Sequence, residues 1–435
     1  MKIKEIEKKS LRYNFLKKYV DFCFRRFYRV IYVGHESVNT REGALFAANH
    51  QNALIDALAI LTSFNWQPVF LGRADIFRNK TTAKILRFLK IIPVYRIRDG
   101  YEQLANNEQT FREAFRILNN ETPIALFPEG NHEGKKKVRY LKKGLARIAL
   151  SFWEKHPEKS DFKIIPVGLN YSNYHKPFSD LLIIFGQPIL VADIDKEYAE
   201  NPAKTINILQ EVVKSRLTDV SLHIDNEAIY NVTDFIIGLF SAKGKAENTT
   251  AEATFRLQKE IITTMEDLHA RNDSQLAQLH QSVNEIKSQP GLKRIRPEEF
   301  EIAFSSNKSF KVLKMILLLI IAAPFYLYSI IQNIIPSLMI RGISRKIKDP
   351  QFKSSVFFTG SILLFPVIYL IQSAIVGLVF NSLLVGSVYF LSLLPSFWLQ
   401  LYWEHKWQEL GNAIKILRNL RSVVHHIISI TKTFH

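Results

Sequence analysis

The stretch that decides the fold reads Ala47-Ala48-Asn49-His50-Gln51-Asn52-Ala53-Leu54-Ile55-Asp56. A small apolar run over 43–48 leads into it and predicts a strand. Leu58, Ile60 and Leu61 follow at helical spacing and predict a helix over 56–64. This strand–loop–helix order places His50 at a strand's C-terminal end, where open α/β sheets carry their sites. Histidine is the side chain whose ordinary pKa suits taking a proton near neutral pH. A nearby carboxylate holds such a ring in one tautomer and stabilises the imidazolium. Position 55 is Ile, so Asp56 is the acid close downstream that can do this. A satisfied buried histidine and a helix-capping aspartate would look the same, so the rest of the chain must decide.

Outward from this stretch, strands are expected at 30–33, 68–72, 91–96, 123–127, 162–169 and 181–185. Helices are expected between them at 74–90, 103–119 and 143–153. The alternation predicts an α/β domain over 34–225 with a mostly parallel sheet flanked by helices. Residues 1–33 mix aromatics such as Tyr13, Phe15 and Phe22 with bases such as Lys18, Arg25 and Arg26. They read as an amphipathic membrane-surface helix or as an ordinary packed one. A helical insert, 226–308, follows, with helices expected at 250–268 and 276–286. It carries no recognisable chemistry.

From 312 the composition shifts. Segments 312–340, 356–380 and 383–403 are nearly uncharged and long enough to cross a bilayer. A membrane region over 309–407 and a C-terminal cytoplasmic helix over 408–435 are therefore expected. Residues 341–353 hold Arg341, Arg345, Lys346, Lys348 and Lys353, which places them on the cytoplasmic side. For the α/β domain to share that side, 312–340 must form a re-entrant hairpin bent near Pro324 or Asn333. The competing topology crosses once.

Over 435 residues the formal net charge is +18 and 47% of residues are hydrophobic. Such a chain seeks polyanions, and its apolar content excludes a disordered basic tail. With the spans present, a membrane is a better polyanion than nucleic acid. One cysteine, Cys23, excludes an intrachain disulfide framework and a Cys-cluster zinc site. The charged start is not expected to act as a secretory signal.

Three further clusters end strands of the α/β region. In Ile92-Pro93-Val94-Tyr95-Arg96-Ile97-Arg98, two arginines suit a phosphate, which guanidinium grips with paired hydrogen bonds. In Phe127-Pro128-Glu129-Gly130, a carboxylate meets a glycine that permits close approach. Lys135, Lys136, Lys137 and Arg139 follow as a cationic loop, which also reads as a solvated face. Ile164-Ile165-Pro166-Val167-Gly168 suits an apolar wall.

In this order and at spacings of roughly 40, 35 and 35 residues, the four motifs resemble those of the glycerolipid acyltransferases. The resemblance covers about residues 30–200. It implies His50 as catalytic base and Asp56 as its partner. It implies Arg96, with Arg98 as a near substitute, on the acceptor's phosphate. Phe127, Pro128, Glu129 and Gly130 support acceptor binding, and Pro166 shapes the acyl site. Two departures stand out. Five residues separate His50 from Asp56, where most of the family has four. Asn131-His132 follows Gly130, where the family has an arginine at the second position, and Lys135, Lys136, Lys137 or Arg139 are candidates to supply that charge.

The activity implied is direct acyl transfer from acyl-CoA or acyl carrier protein to 1-acylglycerol 3-phosphate, giving phosphatidate. It needs no metal and no bound cofactor, and it is expected on the cytoplasmic face of a membrane. Glycerol 3-phosphate is the alternative acceptor. A non-catalytic lipid-binding protein of the same fold is the rival from another class. A transporter would want ionisable residues within the spans, and 356–403 has none.

Overall fold

The structure, a computed structural model, describes residues 6–8, 10–38, 43–95, 106–194, 201–347 and 349–434. The chain divides into two compact units, residues 1–174 with 180–222, and residues 175–179 with 223–435.

The first unit runs α1 (Leu11–Phe27), β1 (Tyr28–Val33), β2 (Ala44–Ala48), α2 (Ala53–Thr62), β3 (Val69–Arg73), α3 (Lys80–Phe88) and β4 (Ile91–Val94). It continues through α4 (Asn106–Asn119), β5 (Ile124–Leu126), α5 (Gly144–Lys155), β6 (Lys163–Tyr171), β7 (Ser179–Phe185), β8 (Ile189–Leu190) and α6 (Pro202–Asp219). The sheet order is β1-β7-β6-β2-β5-β3-β4, with β8 also on β6. Strands β6, β2, β5, β3 and β4 are parallel, while β7 and β8 lie antiparallel to β6. The α/β expectation with a mostly parallel sheet thus holds. The segment 1–33 falls in this unit, and β1 closes one edge of the sheet.

Every residue of β2 is buried, as a strand covered on both faces requires. Leu45 and Ala47 join the cluster formed with α4, α5 and α6. Phe46 faces the other way, with its ring centroid 5.5 Å from that of Phe64 and 6.2 Å from that of Phe185. Proline cannot donate to a ladder and is tolerated where no donor is needed. Pro93 sits on the edge strand β4. Pro166 falls at a seam of β6, between Lys163 and Ile164, which pair with β8, and Val167–Tyr171, which pair with β7.

The second unit is helical: α7 (Tyr230–Ala246), α8 (Ala251–Ala270), α9 (Ser274–Ser288), α10 (Glu301–Phe304), α11 (Lys308–Arg345), α12 (Pro350–Val379), α13 (Leu383–Leu393), α14 (Ser396–Arg418) and α15 (Leu420–Thr433). The sequence reading missed α7, whose ten buried residues are apolar nearly all round and so lack a clear amphipathic stripe. Three helical stretches, Lys308–Arg345, Gln351–Val379 and Leu383–Arg418, are long and apolar enough to cross a membrane.

The re-entrant hairpin is overturned, because α11 is one continuous helix of 38 residues with Pro324 and Pro336 inside it. In hydrocarbon a broken helix would strand its backbone groups, so the helix continues through its prolines where neighbours satisfy what they free. Pro336 frees the carbonyl of Gln332, and Gln372 Nε2 on α12 donates to it at 2.9 Å. Asn333, at the second expected bend, is buried; its Oδ1 accepts from Tyr369 at 2.7 Å and its Nδ2 donates to Gln400 at 3.0 Å. It ties α11 to α12 and α14 instead of bending α11. A single crossing by α11 would put the residues before and after it on opposite faces of the bilayer.

Two outcomes follow from these geometries. A cysteine at Ile347→Cys is labelled from the membrane face opposite to one at Glu158→Cys, in sealed vesicles with an impermeant thiol reagent; labelling from the same face contradicts the single crossing. In the first unit, a Cβ on Gly168 would lie 1.8 Å from the Val220 carbonyl oxygen. Gly168→Ala therefore lowers stability by about 3 kcal/mol or more, read as a fall in the thermal midpoint of the purified protein.

Candidate active site

The site begins where β2 ends. Asn49, fully buried, uses its amide as one more rung of the ladder to β6: Oδ1 accepts from Leu169 N at 2.7 Å and Nδ2 donates to Leu169 O at 3.1 Å. The main chain is thereby released from the sheet at His50. It then turns through Ala53, whose φ of +45° lies in the left-handed region that side chains with a Cβ rarely adopt. That turn accommodates the fifth residue between His50 and Asp56. The contact survives the long spacing, with His50 Nδ1 2.9 Å from Asp56 Oδ2.

Asp56 lies in the first turn of α2 and is fully buried. A buried carboxylate is costly unless its lone pairs are used. Here Oδ2 accepts from Gln51 N at 2.7 Å, Asn52 N at 2.7 Å and His50 Nδ1, while Oδ1 accepts from the Tyr171 hydroxyl at 2.7 Å. Burial, reinforced by the Asp56 charge, holds the Tyr171 hydroxyl well above the usual tyrosine range, so it stays a donor. With Nδ1–H given to the carboxylate, the lone pair of the neutral ring resides on Nε2. The next shell is fixed too: Tyr174 donates to Gln51 Oε1 at 3.1 Å and accepts from Asn52 Nδ2 at its carbonyl, 2.8 Å away.

The His50 ring stacks on Phe127 with centroids 4.1 Å apart and planes 14° apart; His132 meets it edge-on at 5.3 Å. Its side chain is 15% exposed, so solvent-borne groups reach it. Glu129 clamps the two loops together. Its Oε1 accepts from His50 N at 3.0 Å, and its Oε2 accepts from Arg139 Nε at 2.7 Å. Burial pushes the Glu129 carboxyl up from its ordinary range, and Arg139 pulls it back. Arg139 also donates to the Asn131 carbonyl, and Glu133 N donates to His50 O at 3.3 Å. Gly130, at φ +73°, makes the turn that lets Glu129 point inward.

The structure therefore brings His50, Asp56, Phe127 and Glu129 together. Pro128 is buried and its carbonyl accepts from Lys142 N at 2.7 Å; Pro166 is buried beside Ala47. Arg139 has two of its nitrogens committed to the loop. Lys135 lies 3.7 Å from Glu133, Lys136 is buried and Lys137 half-buried. Arg96 and Arg98 lie outside the described residues. Motif four does more than form an apolar wall, because β6 runs on to Tyr171, which closes the Asp56 shell. Its only signal in the sequence was a tyrosine at the end of that strand. That β6 lies next to β2 was needed to use it, and the pairing is not written locally. His132 was visible only as a departure from the motif.

An Acyltransferase family model matches residues 29–170, which covers the strands and loops just described. Glycerol-3-phosphate O-acyltransferases 1 and 2 of Saccharomyces cerevisiae are similar, at 32% identity over 118 residues and 26% over 122, or 26% and 28% of this chain. An uncharacterized acyltransferase of Schizosaccharomyces pombe is 33% identical over 103 residues, 23% of this chain. The matches span only 15–16% of those relatives' own length. A solved structure, the 1-acyl-sn-glycerophosphate (LPA) acyltransferase PlsC of Thermotoga maritima, aligns with a TM-score of 0.34 at 19% identity, covering 49% of this chain and 84% of that one. The α/β domain thus carries a match to the Acyltransferase family model together with four ordered motifs that resemble those of the glycerolipid acyltransferases.

Tyr171→Phe tests the Asp56 shell. Loss of one donor leaves more carboxylate charge facing His50, which favours the protonated ring. The acidic limb of the pH–rate profile then moves to higher pH, while folding stability falls by about 2 kcal/mol. A profile that only scales down, with its limbs in place, removes Tyr171 from the relay.

Proposed function

We propose that the chain transfers a fatty acyl group from a thioester, acyl-CoA or acyl carrier protein, to a free hydroxyl of a phosphorylated glycerol. The observation that carries this reading is the His50 Nδ1–Asp56 contact at 2.9 Å, which leaves Nε2 as the base beside the motif-three loop. Nε2 takes the hydroxyl proton as the oxygen attacks the thioester carbonyl. The C–S bond then breaks, and the imidazolium returns the proton to the departing thiolate. Asp56 stabilises the imidazolium in between. The step uses no metal and no resident cofactor.

The acceptor proposed first is 1-acylglycerol 3-phosphate, giving phosphatidate, because a chain with three membrane-length helices meets lipid acceptors where they reside. Glycerol 3-phosphate is the second reading, favoured by the similarity to the two Saccharomyces cerevisiae glycerol-3-phosphate O-acyltransferases. Arg96 and the cations at 135–139 are proposed to hold the phosphate, which both acceptors share. The catalytic domain is proposed to face the cytoplasm, where both thioester donors are found.

Purified protein in vesicles, supplied with labelled thioester and each acceptor in turn, decides between them. His50→Ala lowers kcat by about a thousandfold or more with folding intact. Comparable turnover by the variant, or none by the parent on either acceptor, overturns the reading.

A further inference from the structure

Helix α3 sits oddly in a packed domain, because none of its nine residues is buried. Ile85 and Phe88, one turn apart, are 53% and 41% exposed, and Ile76 in the preceding turn is 43% exposed. Around them lie Arg78, Lys80 and Lys84, all exposed and with no ion pair among the described residues. Arg87 faces Glu113 at 3.1 Å, and the nearest acid on this segment, Asp75, is held by Arg73. The apolar face continues onto α1, where the Tyr13 ring meets Phe88 at 5.9 Å. There Leu11 and Phe15, again one turn apart, are 88% and 78% exposed.

We propose that α3, together with the start of α1, is a docking face for the headgroup layer of an anionic bilayer. Apolar side chains ringed by unpaired cations match that layer in both respects. The apolar groups enter the acyl boundary while the ammonium and guanidinium groups stay with the lipid phosphates. A protein partner would have to be acidic and apolar at once over the same small area. Strand β3 hands over to α3 at the C-terminal end of the parallel sheet, and α3 then runs back toward the other end, where Lys90 meets Phe70 at the start of β3. The inference does not rest on acyl transfer, since a non-catalytic domain with this surface docks equally well.

The test uses the full-length protein reconstituted in vesicles of phosphatidylcholine alone or mixed with phosphatidylglycerol. An environment-sensitive fluorophore is placed at Ile85→Cys, with Glu158→Cys as an exposed control; native Cys23 is buried. The expected result is a blue shift and quenching by spin-labelled lipid at position 85, stronger with phosphatidylglycerol, and neither at 158. Each of Arg78→Glu, Lys80→Glu and Lys84→Glu lowers the docked-to-undocked ratio by about fivefold or more. An aqueous signal at 85 in both vesicle types overturns the proposal, as does quenching indifferent to lipid charge and to the reversals. Because the readout is not turnover, its failure is separable from failure of the proposed activity.

Discussion

The site depends on one buried carboxylate. Asp56 is removed from water entirely, which would make its charge untenable without compensation. Four donors compensate it: two backbone N–H groups of the loop it follows, the His50 ring and the Tyr171 hydroxyl. Each of those donors is thereby oriented. The two N–H groups fix the path of Gln51 and Asn52, and the ring is fixed in the tautomer that leaves Nε2 basic. One electrostatic requirement thus sets both the loop's shape and the chemistry it presents.

The rest of the domain serves to deliver those donors. Asn49 ends the β2–β6 pairing one residue before His50 by substituting its amide for backbone. Glu129 holds the second loop to the first through His50 N and is itself neutralised by Arg139. The stacked Phe127 limits the ring to one plane. A carboxylate at 129 thus acts through backbone and loop, and Arg139 is part of the same clamp.

The C-terminal helices obey a different solvent. Where water is absent, a proline cannot simply end a helix, because the freed carbonyl has nowhere to turn. In α11 the carbonyl freed by Pro336 is met by Gln372 on the neighbouring helix, and Asn333 is absorbed into a polar cluster between helices. Local propensity read Asn333 as a bend, and tertiary contact makes it a joint.

The chain by itself determined the α/β class, the four ordered motifs and the three membrane-length segments. These rest on periodicity and on residue types that chemistry restricts, and both are local properties. It also singled out His50 and Asp56, since a base needs an imidazole and an imidazole needs a nearby acid. Only the tertiary structure decided that the five-residue spacer closes, because that turned on a left-handed Ala53. Only it brought Tyr171 to Asp56 across 115 residues, because which strands are neighbours is a property of the sheet as a whole. The continuity of α11 was likewise settled in three dimensions, where the carbonyl that Pro336 leaves open is answered by Gln372 of the neighbouring helix.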